Sequence, residues 1–294
     1  MLEVKKINRS FDGRRVLTDV SFTVESGRLT GFVGRNGAGK TTTMRIMLGV
    51  LTADSGEVRL NGAEITESDR RRFGYMPEER GLYPKMPIGE QLIYLARLHG
   101  LTPAAARSNT TDLLDKLGLA DRIGDRVEAL SLGNQQRAQV AAALVHDPEA
   151  LILDEPFSGL DPLAVEVVLG VLAERAAAGV PVLFSSHQLD IVERLCDDLV
   201  IIADGSIRAA GDREELREQY AGSSYRATFG ADAGWLRDQP GIVVREFDGP
   251  NALFDAESPE AAQAVLRNAI ERGPVFNFTP HRPRLAEIFK EVIQ

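Results

Sequence analysis

Two stretches and one histidine carry residue types whose spacing could do chemistry. Gly34-Arg35-Asn36-Gly37-Ala38-Gly39-Lys40-Thr41-Thr42 fits the pattern G-x-x-x-x-G-K-[ST] without a mismatch. The glycines let consecutive backbone N–H groups turn onto a polyphosphate, and a helix starting there adds its positive dipole end. Lys40 then reaches the β- and γ-phosphates, and the Thr41 hydroxyl holds Mg²⁺. Leu151-Ile152-Leu153-Asp154-Glu155-Pro156 ends an apolar run in two carboxylates. Beside a phosphate loop, the first can ligate Mg²⁺ through water and the second can orient and deprotonate an attacking water. Alone, an Asp-Glu pair after a strand serves equally as a helix cap or a solvated turn. His187 follows Val182-Leu183-Phe184-Ser185-Ser186 and can either donate to a γ-phosphate or be purely structural.

Those residues need particular elements to position them. Leu29 to Val33 reads as a buried strand before the glycine loop, and Thr42 to Leu48 as a helix with Met44, Met47 and Leu48 on one face. Leu2 to Ile7, Val16 to Val24 and Val58 to Leu60 read as further strands. Ile88 to about Leu119 takes helical spacing, with Pro103 opening a second helix, and Leu130 to Leu144 forms a third. Residues of about 86–146 thus form a helical insertion. Strands at Ala150 to Leu153, Val182 to Phe184 and Leu199 to Ala203 alternate with helices at Asp161 to Ala178 and Leu189 to Leu195. Such alternation predicts an α/β fold with a mostly parallel sheet covered on both faces. Tyr220 to Ser224 is a small polar linker, so residues 1–220 form one domain and 224–294 a small α+β domain. The latter shows strands from Tyr225, Ile242, Ala252 and Val275 and helices from Ala231, Pro259 and Leu285, an order compatible with a ferredoxin-like layer. No chemistry is evident in it.

Composition narrows the function classes. A chain of 294 residues with formal net charge −9 argues against a nucleic-acid partner. Cys196 is the only cysteine, which fits a reducing compartment and a small buried apolar role. The opening Met1-Leu2-Glu3-Val4-Lys5-Lys6 reads as a strand rather than a signal segment. No apolar run reaches the length of a membrane span, so work at a membrane requires a partner.

Six stretches in fixed order resemble the ATP-binding subunits of ABC transporters: Phe11, the phosphate loop, Tyr75-Met76-Pro77-Glu78, Leu130 to Gln135, Leu151 to Glu155 with Ser158-Gly159-Leu160-Asp161, and Ser186-His187. The resemblance covers residues of about 2–218 and implies a P-loop ABC-type ATPase fold with ATP and Mg²⁺ as ligands. It implies that Phe11 stacks on adenine, though a strand-end aromatic can also be ordinary core. It further implies that Asp154 is the Mg²⁺ carboxylate, Glu155 the general base and His187 a switch residue. Ser131 and Gly133 would bind the γ-phosphate of ATP held by a second copy in a head-to-tail dimer, and Asp161 would touch that copy. Two positions depart from the family pattern: Leu132 stands where a glycine is usual, and Glu78 where a glutamine is usual. Glu78 can still ligate Mg²⁺. Both departures, and the extra C-terminal domain, resemble the drug- and sodium-efflux (daunorubicin-resistance-like) branch. That branch implies a separately encoded integral membrane permease and a peripheral place on the cytoplasmic face. A non-transport ABC ATPase and a nucleotide-gated regulatory module are the alternatives. Against them stand the single phosphate loop, the lack of sustained heptads and Glu155.

Overall fold

The structure, a computed structural model, describes residues 1–293. The chain divides into two compact units, Met1–Arg213 and Glu214–Val292. The division falls ahead of the expected linker, because the helix Arg213–Ala221 groups with the second unit rather than closing the first.

In the first unit, β1 (Leu2–Phe11), β2 (Arg14–Val24), β3 (Leu29–Val33), α1 (Lys40–Met47), β4 (Ser55–Leu60) and β5 (Ala63–Glu64) come first. Then follow α2 (Glu67–Arg70), β6 (Phe73–Met76), α3 (Ile88–Leu98), α4 (Pro103–Lys116), α5 (Leu132–Leu144) and β7 (Ala150–Leu153). α6 (Pro162–Ala177), β8 (Val182–Ser186), α7 (Leu189–Leu195), β9 (Asp198–Ala203) and β10 (Ser206–Asp212) complete it. The central sheet runs β10-β9-β3-β8-β7-β6, parallel except for β10 at one edge. Every residue of β3, β7 and β8 is buried, as a parallel sheet covered on both faces demands. A second, antiparallel sheet runs β2-β1-β4-β5. Leu2, Val4, Ile7 and Phe22 from that sheet share one core with Phe32 of β3 and with Met44 and Met47 of α1. This cluster clamps the loop between β3 and α1 from both flanks.

Three strands lie where no strand was expected: the two-residue β5, β6 and β10. β10 is largely exposed and polar along one edge, so its sequence lacks an apolar run. β6 is four residues long and contains Gly74. A Cβ at Gly74 would lie 2.2 Å from the Ala143 carbonyl of α5, so only glycine lets helix and strand approach this closely. The contact holds α5 against the strand that leads to Glu78.

The second unit holds α8 (Arg213–Ala221), β11 (Ser224–Phe229), β12 (Ile242–Asp248), β13 (Asn251–Ala256), α9 (Pro259–Arg272), β14 (Val275–Pro280) and α10 (Leu285–Ile293). Its antiparallel sheet runs β12-β13-β11-β14, the ferredoxin-like order. Ala227, Phe229 and Phe254 on one face pack with Val265 and Ala269 of α9. The helix expected from Ala231 is a short 3₁₀ helix, Ala233–Asp238. Among the described residues, no helix is long and apolar enough to cross a membrane.

Candidate functional site

The loop from Gly34 to Lys40 leaves β3 and closes on the first turn of α1. Gly37 and Gly39 take left-handed backbone angles, φ 80° and 109°. A Cβ at Gly39 would also sit 2.5 Å from Leu17 Cδ2, and one at Gly34 2.5 Å from the Ile202 carbonyl. Gly34 therefore needs glycine for space, and Gly39 for both space and its left-handed backbone. The Lys40 ammonium is buried under this loop and donates to the Gly34 carbonyl at 2.8 Å and to the Arg35 carbonyl at 3.4 Å. Arg35 itself is exposed, and its carbonyl accepts the Ala38 N–H at 3.1 Å, closing the turn. Ala38 is buried, and its carbonyl accepts from Gly205 N–H at 3.1 Å.

Across from the loop, β7 leads directly into Asp154, which is 2% exposed. The Thr41 hydroxyl donates to Asp154 Oδ2 at 2.8 Å, so the two hard oxygen groups expected to hold a divalent cation already touch. Glu155 follows with φ 54°, a conformation few non-glycine residues adopt. Its N–H donates to Ser185 Oγ at 2.9 Å and its carbonyl accepts from Gln136 Nε2 at 2.9 Å. The Glu155 carboxylate meets His187 Nδ1 at 2.9 Å, although His187 is otherwise exposed. Burial pushes the Glu155 carboxyl above the ordinary glutamate range, with His187 and Lys40 pulling weakly the other way.

Lys40, Thr41, Asp154 and Glu155 face one cavity of about 480 Å³, lined by Phe11, Val16, Asn36, Gly37, Gly39, Lys40, Thr41, Thr42, Glu78, Asp154 and Glu155; His187 reaches it only through its contact with Glu155. Phe11 stands at its edge, 37% exposed, with the Arg9 guanidinium 4.6 Å from its ring centroid. It is thus a partly open ring rather than core. Glu78 is exposed at the rim.

The chemistry of the donors fits a Mg²⁺–triphosphate. Among the described residues no group of three or more His, Cys, Asp or Glu could cage a metal alone. Thr41 and Asp154 supply the sparse oxygen set of a Mg²⁺ that keeps its waters and leans on substrate phosphates.

Ser131, Gly133 and Asp161 lie outside this cavity. Ser131 caps α5 by accepting the Asn134 N–H at 3.3 Å, and Asp161 caps α6 by accepting the Ala164 N–H at 2.9 Å. Leu132 next to Ser131 is 61% exposed. Two residues of the site went unnoticed in the sequence, Ser185 and Gln136. The only signal for Ser185 was a hydroxyl inside an apolar strand, and Gln136 had none beyond its place on α5.

Residues 17–158 match the family model described as ABC transporter, and residues 211–293 match that of the ATP-binding protein DrrA1-3-like C-terminal domain. An uncharacterized ABC transporter ATP-binding protein of Bacillus subtilis (strain 168), YhaQ, is 33% identical over 100% of this chain and 98% of its own. Nod factor export ATP-binding protein I of Burkholderia lata is 32% identical over 90% of this chain and 89% of its own. Among solved structures, an ATP-binding subunit of an ABC transporter superposes with TM-score 0.69 at 34% identity, covering 75% of this chain and 93% of its own. The chain belongs to the family of ABC transporter ATP-binding proteins, ATPases by type, in the branch that carries a DrrA1-3-like C-terminal domain.

Proposed function

We propose that this chain hydrolyses ATP to drive an efflux-type ABC transporter, working beneath a separately encoded integral membrane permease on the cytoplasmic face. The observation that carries the reading is the convergence of Thr41, Asp154 and Glu155 with the phosphate loop on one cavity. Loop N–H groups and Lys40 bind the phosphates, with Lys40 trading its loop carbonyls for phosphate oxygens. Phe11 offers a ring face to adenine. Thr41, Asp154 and Glu78 would hold Mg²⁺, which would neutralise phosphate charge when bound. Glu155 takes the proton of the attacking water, and His187, touching that carboxylate, orients it. A second copy completes the site: Ser131 and Gly133, at the N-terminus of α5, face anions with oriented N–H groups, and Asp161 meets the partner. The Nod factor relative is named for export, which supports that direction.

The test is recovery of the partner. The neighbouring reading frame should encode about six apolar spans of ~20 residues each. Tagged chain expressed with that frame should bring the spanning protein out of detergent-solubilised membranes. Recovery of ribosomes or DNA in its place would contradict the reading.

A further inference from the structure

Ser185 is fully buried at the carboxyl end of β8 and belongs to none of the stretches that line the cavity. β7 and β8 run parallel with Leu153 opposite Phe184, so Ser185 stands level with Asp154. Its hydroxyl donates to Asp154 Oδ1 at 2.5 Å and accepts the Glu155 N–H at 2.9 Å. One hydroxyl therefore ties both carboxylate-bearing residues to the neighbouring strand. A buried hydroxyl in a parallel strand is costly unless bonded, and here both its donor and an acceptor lone pair are used.

The two bonds have separate consequences. With Oδ1 held by Ser185, Asp154 turns Oδ2 toward Thr41, which donates to it at 2.8 Å. With its N–H held, Glu155 is kept in the left-handed backbone that few non-glycine residues adopt. We propose that Ser185 is a positioning residue of the hydrolytic site, fixing the Asp154 carboxylate toward the metal and the Glu155 backbone toward the water. This rests on the reading of Asp154 as the Mg²⁺ carboxylate and Glu155 as the base.

The experiment uses the full chain with Ser185→Ala, Ser185→Thr and Asp154→Asn. Mn²⁺ affinity in the presence of ADP is read by electron paramagnetic resonance, alongside kcat, Mg²⁺-free ATP binding and thermal unfolding. Ser185→Ala should weaken Mn²⁺ binding and lower kcat by about tenfold each, the size of one lost charge-assisted hydrogen bond. Mg²⁺-free ATP binding should stay within about twofold, because the phosphate loop is untouched. Ser185→Thr, folding with wild-type Tm, should restore both losses by restoring the hydroxyl. If Ser185→Ala does not fold, Ser185→Cys, close in volume and a weak donor, takes its place with the same expected losses. Wild-type Mn²⁺ affinity and kcat in Ser185→Ala overturn the proposal. So does a lowered Tm with unchanged Mn²⁺ affinity, since a merely structural hydroxyl gives that result. Asp154→Asn separates the two levels: its loss of Mn²⁺ binding leaves the metal reading standing whatever Ser185 does, whereas wild-type affinity there overturns the reading and the proposal together.

Discussion

At Glu155, burial and a neighbouring imidazole pull one carboxyl in opposite directions, and burial wins. A base works ionised, so kcat should climb with pH on an acid limb lying above that of an ordinary glutamate, whose pKa is about 4.3. His187→Ala removes an interaction that favours the ionised form, so in a pH–rate profile the limb should move to still higher pH. A limb that stays or falls contradicts the assignment. Stability follows the same sign. The folded pKa lies above the unfolded one, so the contribution of Glu155 is full below the unfolded value and is lost as pH rises through the folded value. At pH above the unfolded value Glu155 therefore lowers stability, and Glu155→Gln should melt higher than the wild type in thermal scans at neutral pH. Residues that act through spacing along the chain, such as Lys40, Thr41 and the Asp154-Glu155 pair, were legible in the sequence. Ser185 and Gln136 were not, because only the register of β7 against β8 and the packing of α5 bring them to Glu155.

At the level of elements, the phosphate loop sits between a strand buried on both faces and a helix pinned by Met44 and Met47. Its strand–loop–helix frame was readable from apolar runs and glycines. β6 was not, since four residues with a glycine give neither a period nor a propensity. Gly74 links that strand to the helix bearing Ser131 and Gln136. Gly74→Ala must push the Ala143 carbonyl away from a 2.2 Å approach. It should cost about 1–3 kcal/mol by overpacking, read as a lower midpoint in urea unfolding with little change in slope. An unchanged midpoint would show that α5 and β6 separate freely, and the site would then owe nothing to their contact.

At the level of the molecule, an ATP-binding unit and a ferredoxin-like unit share one chain. The strand order of the smaller unit was legible in outline. The division at Arg213 was not, because the helix that follows it is mostly charged and carries little apolar signal. Ser131, Gly133 and Asp161 stand outside the cavity of their own chain, and the proposed function assigns them to a site completed by a second copy. A hydrolysis-deficient Glu155→Gln protein should therefore dimerise with ATP and separate without it. Light scattering that shows monomer at saturating ATP and high protein concentration would contradict the shared site. The central claim is that Glu155 takes the proton of the water that attacks ATP. Its most direct measurement is ATP turnover of Glu155→Gln beside its ATP affinity. Turnover should fall by about 10²–10⁴-fold with affinity retained; turnover at the wild-type rate would contradict the claim.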